Sequence, residues 1–465
     1  MNPVSTDLAR KQRILAGFRG RTLLQAIADP ALRQDMEEEA RSTTLDRLVT
    51  PDLVAVANAA SRARQVSPRL SLFAPVADVI VLPGLLASQL TDTSGGNGLI
   101  WINPTLIFNS NPLLALGLKP NNIDQDSTPG VSIQPDGAIP VVYAGLRAVL
   151  ELNRFNVVEF GFDWRKNFDE SAQQLADVIR DRVNQPSRPL HLVAHSQGSL
   201  VARAALQLLG QNLGLQLVNS LILLGPATAG SFSAATGIAG DNQLLNTAQE
   251  VGITPPPGFT QVLQSMSGLY QLLPWRTNPV DGASPDPAIQ WVQEHPEFHT
   301  PAFWAASGVD ADRLNVLFGS AAGIDSSYLN GRTSIILGDQ PTAGGVKWVP
   351  DATMPGGMRL DNDDAFATTG DGTVPDSMAL VAGVTQVFKA PGAEHAMLPA
   401  TLSVITAVLD ILQGIPPTLP SFPVGSAAAP AAAPVLPAAL PHLSKPLSAD
   451  DLFRFRPVVA PIPAG

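Results

Sequence analysis

No cysteine occurs among the 465 residues, which excludes disulfides, thiolate nucleophiles and cysteine-based metal sites. The same absence says nothing about compartment, since a cysteine-free chain suits reducing and oxidising surroundings alike. Basic residues are scarce: 29 Lys and Arg against 40 Asp and Glu leave a net charge of −11. That balance argues against nucleic acid as a partner and offers no general attraction to an anionic membrane. No apolar run reaches transmembrane length, and the longest, Leu215–Leu224, is broken by Gln216, Asn219 and Ser220. The basic N-terminus contains no continuous apolar segment of a secretory leader, so the cytoplasm is the expected location. Charged residues make up only 15% against 45% hydrophobic ones, the balance of a globular chain with a large core.

Three regions are expected. Residues 1–70 read as a helical extension, with Leu8, Ile14, Leu15, Phe18, Leu23, Leu24 and Ile27 at roughly helical spacing until Pro30. Residues 71–413 alternate between strand and helix. Strands are expected at Asp78–Leu82, Asn156–Gly161, Leu190–Ala194, Ser220–Leu224, Ser334–Leu337 and Thr385–Phe388. Helices are expected at Tyr143–Leu152, Ser171–Val183, Ser199–Leu209 and Leu402–Leu412. This order predicts an α/β fold, a mostly parallel sheet covered by helices on both faces. Two segments, about 85–140 and 227–330, interrupt it and read as cap insertions over the sheet's C-terminal edge. Residues 414–465 are rich in Pro and Ala and read as a linker and tail.

The stretch from Pro189 to Arg203, PLHLVAHSQGSLVAR, carries the chemistry. A short apolar strand meets a serine between small residues, and a helix begins at once, the layout of a nucleophile elbow centred on Ser196. Ala194 and Gly198 are small because strand and helix backbones nearly touch there. A serine hydroxyl is a weak nucleophile and needs a base, a carboxylate to orient that base, and donors for an oxyanion.

Only six histidines compete for the role of base. His191 lies inside the strand, and His195 is sent a different way from its neighbour Ser196 by the elbow. His295 and His299 stand four apart but lack the H-E-x-x-H order of a zinc helix, and Pro296 intervenes. His442 falls in the linker. His395, between the last strand and last helix, remains. For the acid, Asp371 sits in a tight Gly-Asp-Gly turn between the serine and the histidine in chain order. Its rival is the Asp361–Asp364 cluster, which also reads as a solvated loop or a calcium loop without the EF-hand glycine and terminal Glu. The oxyanion donors are expected to be the amides of Gln197, after the nucleophile, and Leu85, after the first strand.

Several local motifs resemble the lecithin:cholesterol acyltransferase family of α/β-hydrolases. They are Leu82–Leu90 (LPGLLASQL), Trp101–Asn103 (WIN), Gly161–Arg165 (GFDWR), the elbow, Leu269–Pro274 (LYQLLP), Gly370–Pro375 (GDGTVP) and the His395 loop, in the family's order across about 77–413. The resemblance implies an α/β-hydrolase fold with Ser196 as nucleophile, Asp371 as acid and His395 as base. It also implies Leu85 and Gln197 as oxyanion donors and Asp163 and Arg165 as a structural pair near the site. The chain departs from the family in having Ala194 for the first elbow Gly, no cysteine to staple the cap, and extensions at both ends.

The expected function is serine-dependent hydrolysis of an acyl ester, or acyl transfer, on a lipid-like substrate through an acyl-enzyme on Ser196. No cofactor or metal is expected, and the partner is the lipid or other acyl ester, with peripheral contact to a lipid surface. Leu106, Ile107, Phe108, Leu113, Leu114, Leu116 and Leu118 suit an acyl groove, or ordinary burial of the insertion. The alternatives are a lactonase, thioesterase or peptidase with the same triad, or a non-catalytic hydrolase scaffold.

Overall fold

The computed structural model describes Ala31 and residues 75–424 apart from 95–97, 102–109, 185–187, 240–254, 281–285, 306 and 353–355. The expected N-terminal helices, His442 and the tail beyond 424 lie outside the described residues, as do Leu106, Ile107 and Phe108.

Among the described residues, six strands form the central sheet: β1 (Ala77–Leu82), β2 (Phe155–Glu159), β3 (Leu190–His195), β4 (Ser220–Leu224), β5 (Thr333–Leu337) and β6 (Gln386–Lys389). They lie in the order β2-β1-β3-β4-β5-β6 and every neighbouring pair is parallel. The helices α1 (Pro140–Leu152), α2 (Phe168–Arg180), α3 (Gly198–Leu217) and α4 (Leu402–Leu412) pack against it. This is the α/β-hydrolase fold.

The strands are apolar because both their faces are covered. Alternate residues point to opposite faces. Thus Ile80, Leu82, Leu190, Leu192, Leu221, Leu223 and Ile335 join the core that includes Leu175 of α2 and Leu200 of α3. Val79, Val81, Val193, Ile222 and Ile336 join the other, with Leu146 of α1 and Val408 of α4. A one-residue slip in any central strand would exchange these sets. Asp78 is the exception in β1: its buried carboxylate binds Asn156, Arg182 and Arg188 at the N-terminal end of the sheet.

The observed elements differ from the sequence reading at their ends. Helix α1 starts earlier because Pro140 opens its first turn, where the missing N–H costs nothing. Helix α2 starts at Phe168 because the Asn167 side chain accepts from the Asp169 amide at 2.9 Å. Its end is also earlier than expected, with Asp181–Asn184 forming a 3₁₀ turn. Helix α3 breaks at Gly210 (φ 71°, ψ 167°), close to the expected end at Leu209, and then resumes to Leu217. The segment 85–140 carries a three-stranded antiparallel sheet built from Ser88–Asp92, Gly98–Trp101 and Ile133–Ala138. Two antiparallel pairs between β5 and β6, Gln340–Ala343 with Ala367–Gly370 and Val346–Pro350 with Met358–Asn362, have no counterpart in the sequence reading.

The segment read as a linker from 414 also begins differently. The Lys389 amide donates to the Pro420 carbonyl at 2.9 Å, and the Phe422 amide to that of Val387 at 2.8 Å. Residues 420–422 thereby satisfy backbone groups of the edge strand β6, which would otherwise be an open template for another chain.

Strand order reverses at β1, which has β2 on one side and β3 on the other. In open α/β sheets the crevice at the strands' C-terminal ends lies at such a reversal. The loop after β1 holds Leu85, and the turn after β3 holds Ser196. Closure of that turn requires Gly198: a Cβ there would overlap the Pro83 carbonyl oxygen and lie 2.9 Å from that of Leu82. Gly198→Ala is therefore expected to lower folding stability by about 1–3 kcal/mol. The measurement is chemical denaturation, with a lower midpoint and an unchanged slope.

Candidate active site

Ser196 follows β3 with φ 52°, a left-handed backbone rare for any residue but glycine. Its amide donates to the Leu224 carbonyl at 3.0 Å. Its own carbonyl accepts from the Ser199 amide at 3.0 Å and the Ser199 hydroxyl at 2.5 Å. These bonds and the helix packed behind Gly198 hold the turn and aim the hydroxyl out of it.

Ser196 Oγ lies 2.8 Å from His395 Nε2. His395 Nδ1 lies 2.6 Å from Asp371 Oδ2. A carboxylate accepts, so Nδ1 carries the proton and Nε2 is free to accept from the serine hydroxyl. Asp371 Oδ1 accepts from the Val374 amide at 2.7 Å and the Thr373 amide at 3.1 Å, and the Asp371 carbonyl accepts from the His395 amide at 2.8 Å. The acid and the imidazole are thus joined by backbone as well as side chain. All three residues are buried.

Burial by itself raises the Asp371 carboxyl, but the neighbouring His395 imidazole and the donors around the carboxylate outweigh it and hold the pKa below the ordinary value. The turn that carries Asp371 is held at its far end by Lys389, whose ammonium lies 2.6 and 2.7 Å from the Asp376 oxygens.

Gly225, at the end of β4, was not singled out by the sequence reading. It has φ 48°, and a Cβ there would lie 2.7 Å from Asp371 Oδ2 and 3.0 Å from His395 Nδ1. Any side chain at that strand end would part the pair. A glycine directly after an apolar strand, Ser220–Leu224, was the available signal.

Beside Ser196, the amides of Leu85 and Gln197 donate no hydrogen bond among the described residues. Leu86, next to Leu85, is another non-glycine residue with positive φ, at 61°. Its carbonyl is held by the Trp101 indole N–H at 2.5 Å. Trp101 packs edge-on to Trp164, whose own indole N–H donates to the Ser88 carbonyl at 3.1 Å. The strained loop after β1 is therefore braced through two tryptophans.

Asp163 and Arg165 pair within the same brace. Arg165 Nε and Nη2 lie 2.8 and 2.6 Å from the two Asp163 oxygens, while Nη1 reaches Asp126 at 2.9 Å and the Leu116 carbonyl at 3.0 Å. The residue between them, Trp164, accepts at its carbonyl from Gln197 Nε2 at 3.2 Å. The pair thus reaches the residue after Ser196 through one peptide.

The other histidines have different surroundings. His191 Nδ1 lies 2.7 Å from Ser220 Oγ within the sheet. His295 stacks on Trp291 with ring centroids 4.3 Å apart and bonds its carbonyl. In the rival acidic cluster, Asp361 pairs with Arg359 on its own strand, and Asp363 caps a turn and pairs with Lys347. Of the apolar residues suggested for an acyl groove, Leu113, Leu116 and Leu118 are buried and Leu114 is exposed.

Chemically, a hydroxyl set against a neutral imidazole nitrogen, with the opposite nitrogen on a carboxylate, can pass its proton as its oxygen attacks. Two unused amides at the same strand ends can receive negative charge.

No family model matches the chain. A stretch of 138 residues is 33% identical to the uncharacterized protein YJR098C of Saccharomyces cerevisiae, and it covers 28% of this chain and 21% of the yeast protein. Among solved structures, the Tle4–Tli4 complex contains a chain that aligns with 72% of this one and 98% of its own length, at TM-score 0.42 and 15% identity. The mature lipase BlEst2 of Bacillus licheniformis aligns over 74% of this chain and 96% of its own, at TM-score 0.33 and 11% identity.

The depressed Asp371 pKa has a consequence for acid stability. A folded-state value below the unfolded 3.8 contributes stability that is present above that pH and is lost as pH falls through the folded-state value. Asp371→Asn is expected to lower stability at neutral pH and to flatten the acid limb of the stability curve. Denaturant melts taken across pH 2 to 7 for both proteins check this. A constant offset at every pH would contradict it.

Proposed function

We propose that this chain is a serine-dependent acyl-ester hydrolase or acyltransferase that acts on lipid-like esters, as in the lecithin:cholesterol acyltransferase family its motifs resemble. The observation that carries this reading is the 2.8 Å contact of Ser196 Oγ with His395 Nε2, whose opposite nitrogen lies 2.6 Å from Asp371. Its place on a strained turn at the reversal of strand order supports it further.

Ser196 Oγ attacks the ester carbonyl while its proton moves to His395 Nε2. The negative charge that develops on the carbonyl oxygen falls to the amides of Leu85 and Gln197, which donate to no acceptor among the described residues. As the carbon–oxygen bond to the leaving alcohol breaks, His395 returns the proton to that oxygen. The acyl group remains on Ser196. Water or an alcohol then enters and loses its proton to His395 as its oxygen bonds the acyl carbon. The bond from that carbon to Ser196 Oγ breaks and His395 returns the proton to Oγ, which restores the serine. Asp371 keeps the Nδ1–H tautomer and steadies the imidazolium formed in each half-reaction.

Ser196→Ala is expected to reduce turnover of p-nitrophenyl esters by roughly 10⁴-fold or more and to abolish covalent labelling by a fluorophosphonate. Labelling that persists in the variant would overturn the assignment. The acceptor is read from products: a defined phospholipid is incubated with and without an added long-chain alcohol. Free fatty acid in both reactions identifies a hydrolase, and a new ester in the second identifies a transferase.

A further inference from the structure

Behind the Ser196 site lies a second set of buried polar groups that the proposed reaction leaves unused. The Gly84 amide donates to the Tyr143 hydroxyl oxygen at 3.0 Å. That hydroxyl lies 2.7 Å from His195 Nδ1. His195 Nε2 in turn lies 2.9 Å from the backbone carbonyl oxygen of His395. Tyr143 and His195 are both buried, with only 1% and 4% of their surface exposed.

The direction of every bond in this chain follows from its two ends. A carbonyl oxygen only accepts, so His195 must carry a proton on Nε2 and donate it. A neutral imidazole then presents a bare Nδ1, which accepts from the Tyr143 hydroxyl, while a lone pair on the tyrosine oxygen receives the Gly84 amide. Burial, helped by the nearby His395 ring, pushes His195 down to about 3, so it stays neutral. Burial likewise pushes the Tyr143 phenol up, so it stays protonated.

The groups at the ends belong to the two parts of the site that must be aligned. Gly84 directly precedes Leu85, whose amide faces the oxyanion in the proposed reaction. The His395 carbonyl belongs to the residue whose ring exchanges the proton, and its ring centroid is 5.1 Å from that of His195. His195 itself is covalently next to Ser196. The chain therefore links the loops after β1, β3 and β6.

We propose that Tyr143 and His195 are positioning residues: their one-directional relay holds the Gly84–Leu85 loop and the His395 loop in register around Ser196. This rests on the reading of Ser196 as nucleophile. Neither residue touches the reacting atoms, and neither exchanges a proton during turnover. Their part is to keep two loops from drifting by the fraction of an ångström to which attack geometry is sensitive.

The test compares His195→Leu, His195→Gln and Tyr143→Phe on a p-nitrophenyl ester. Glutamine can offer an N–H to the His395 carbonyl and an oxygen to Tyr143, whereas leucine offers neither. His195→Leu is expected to lower kcat by roughly 10- to 100-fold with KM nearly unchanged. His195→Gln is expected to recover most of that loss, and Tyr143→Phe to fall between the two. A leucine variant with wild-type kcat, or glutamine and leucine variants equally impaired, would overturn the proposal.

Nitrogen-15 imidazole spectra of the unsubstituted protein provide a measurement that requires no variant to fold. At neutral pH, His195 is expected as the Nε2–H tautomer. A charged ring or the Nδ1–H tautomer in an active protein refutes the relay alone. Failure of the unsubstituted protein to hydrolyse esters or react with a fluorophosphonate refutes the reading of Ser196, whatever the tautomer.

Discussion

The left-handed turn at Ser196 is the constraint on which the rest of the site depends. Such a backbone costs on the order of 1–3 kcal/mol for a non-glycine residue, and it persists only where its surroundings over-determine it. Here β3 enters the turn locked between β1 and β4, and α3 leaves it packed against the Pro83 and Leu82 carbonyls. The backbone bonds from Ser196 to Leu224 and Ser199 close the remaining freedom. A two-sided apolar sheet supplies the rigidity, and the turn converts it into a hydroxyl held in one direction.

Around that hydroxyl, the protein arranges buried polar groups whose protons have little choice of position. Asp371 accepts from two amides at Oδ1 and from His395 at Oδ2, so both oxygens of its carboxylate have a donor. His195 and Tyr143 remain neutral and consume one another's hydrogen-bonding capacity. Buried polar groups are costly when half-satisfied, and a fully satisfied network rigidifies what it joins. The Leu85 and Gln197 amides are the contrast, since they have no partner among the described residues.

Much of this was legible in local sequence. The apolar run, the serine between small residues and the helix-forming stretch after it are a local signal, and the α3 break at Gly210 fell near the expected helix end. Asp371 and His395 could be named because glycine turns and the scarcity of histidine narrowed the field. Tyr143 could not, because a single tyrosine on the buried face of a helix looks the same whether it packs or bonds. Gly225 was equally silent: its need for a missing Cβ arises from Asp371 and His395, residues far along the chain. The antiparallel pairs between β5 and β6 were missed because short, half-exposed strands have too few residues for a period-2 pattern to emerge.

By itself, the sequence determined the alternation of strand and helix, the position of the elbow, and which side chains had the chemistry to serve there. Those are properties of neighbours within a few residues, set by periodicity, turn preference and side-chain type. Tertiary structure alone decided that β1 lies between β2 and β3, so that the loop holding Leu85 and the turn holding Ser196 follow neighbouring strands. It also decided that residues some 200 positions apart, Ser196 and His395, meet at hydrogen-bond distance. The reason is physical: strand order and loop approach are settled by how two apolar faces are covered at once, a condition that no short window of sequence contains.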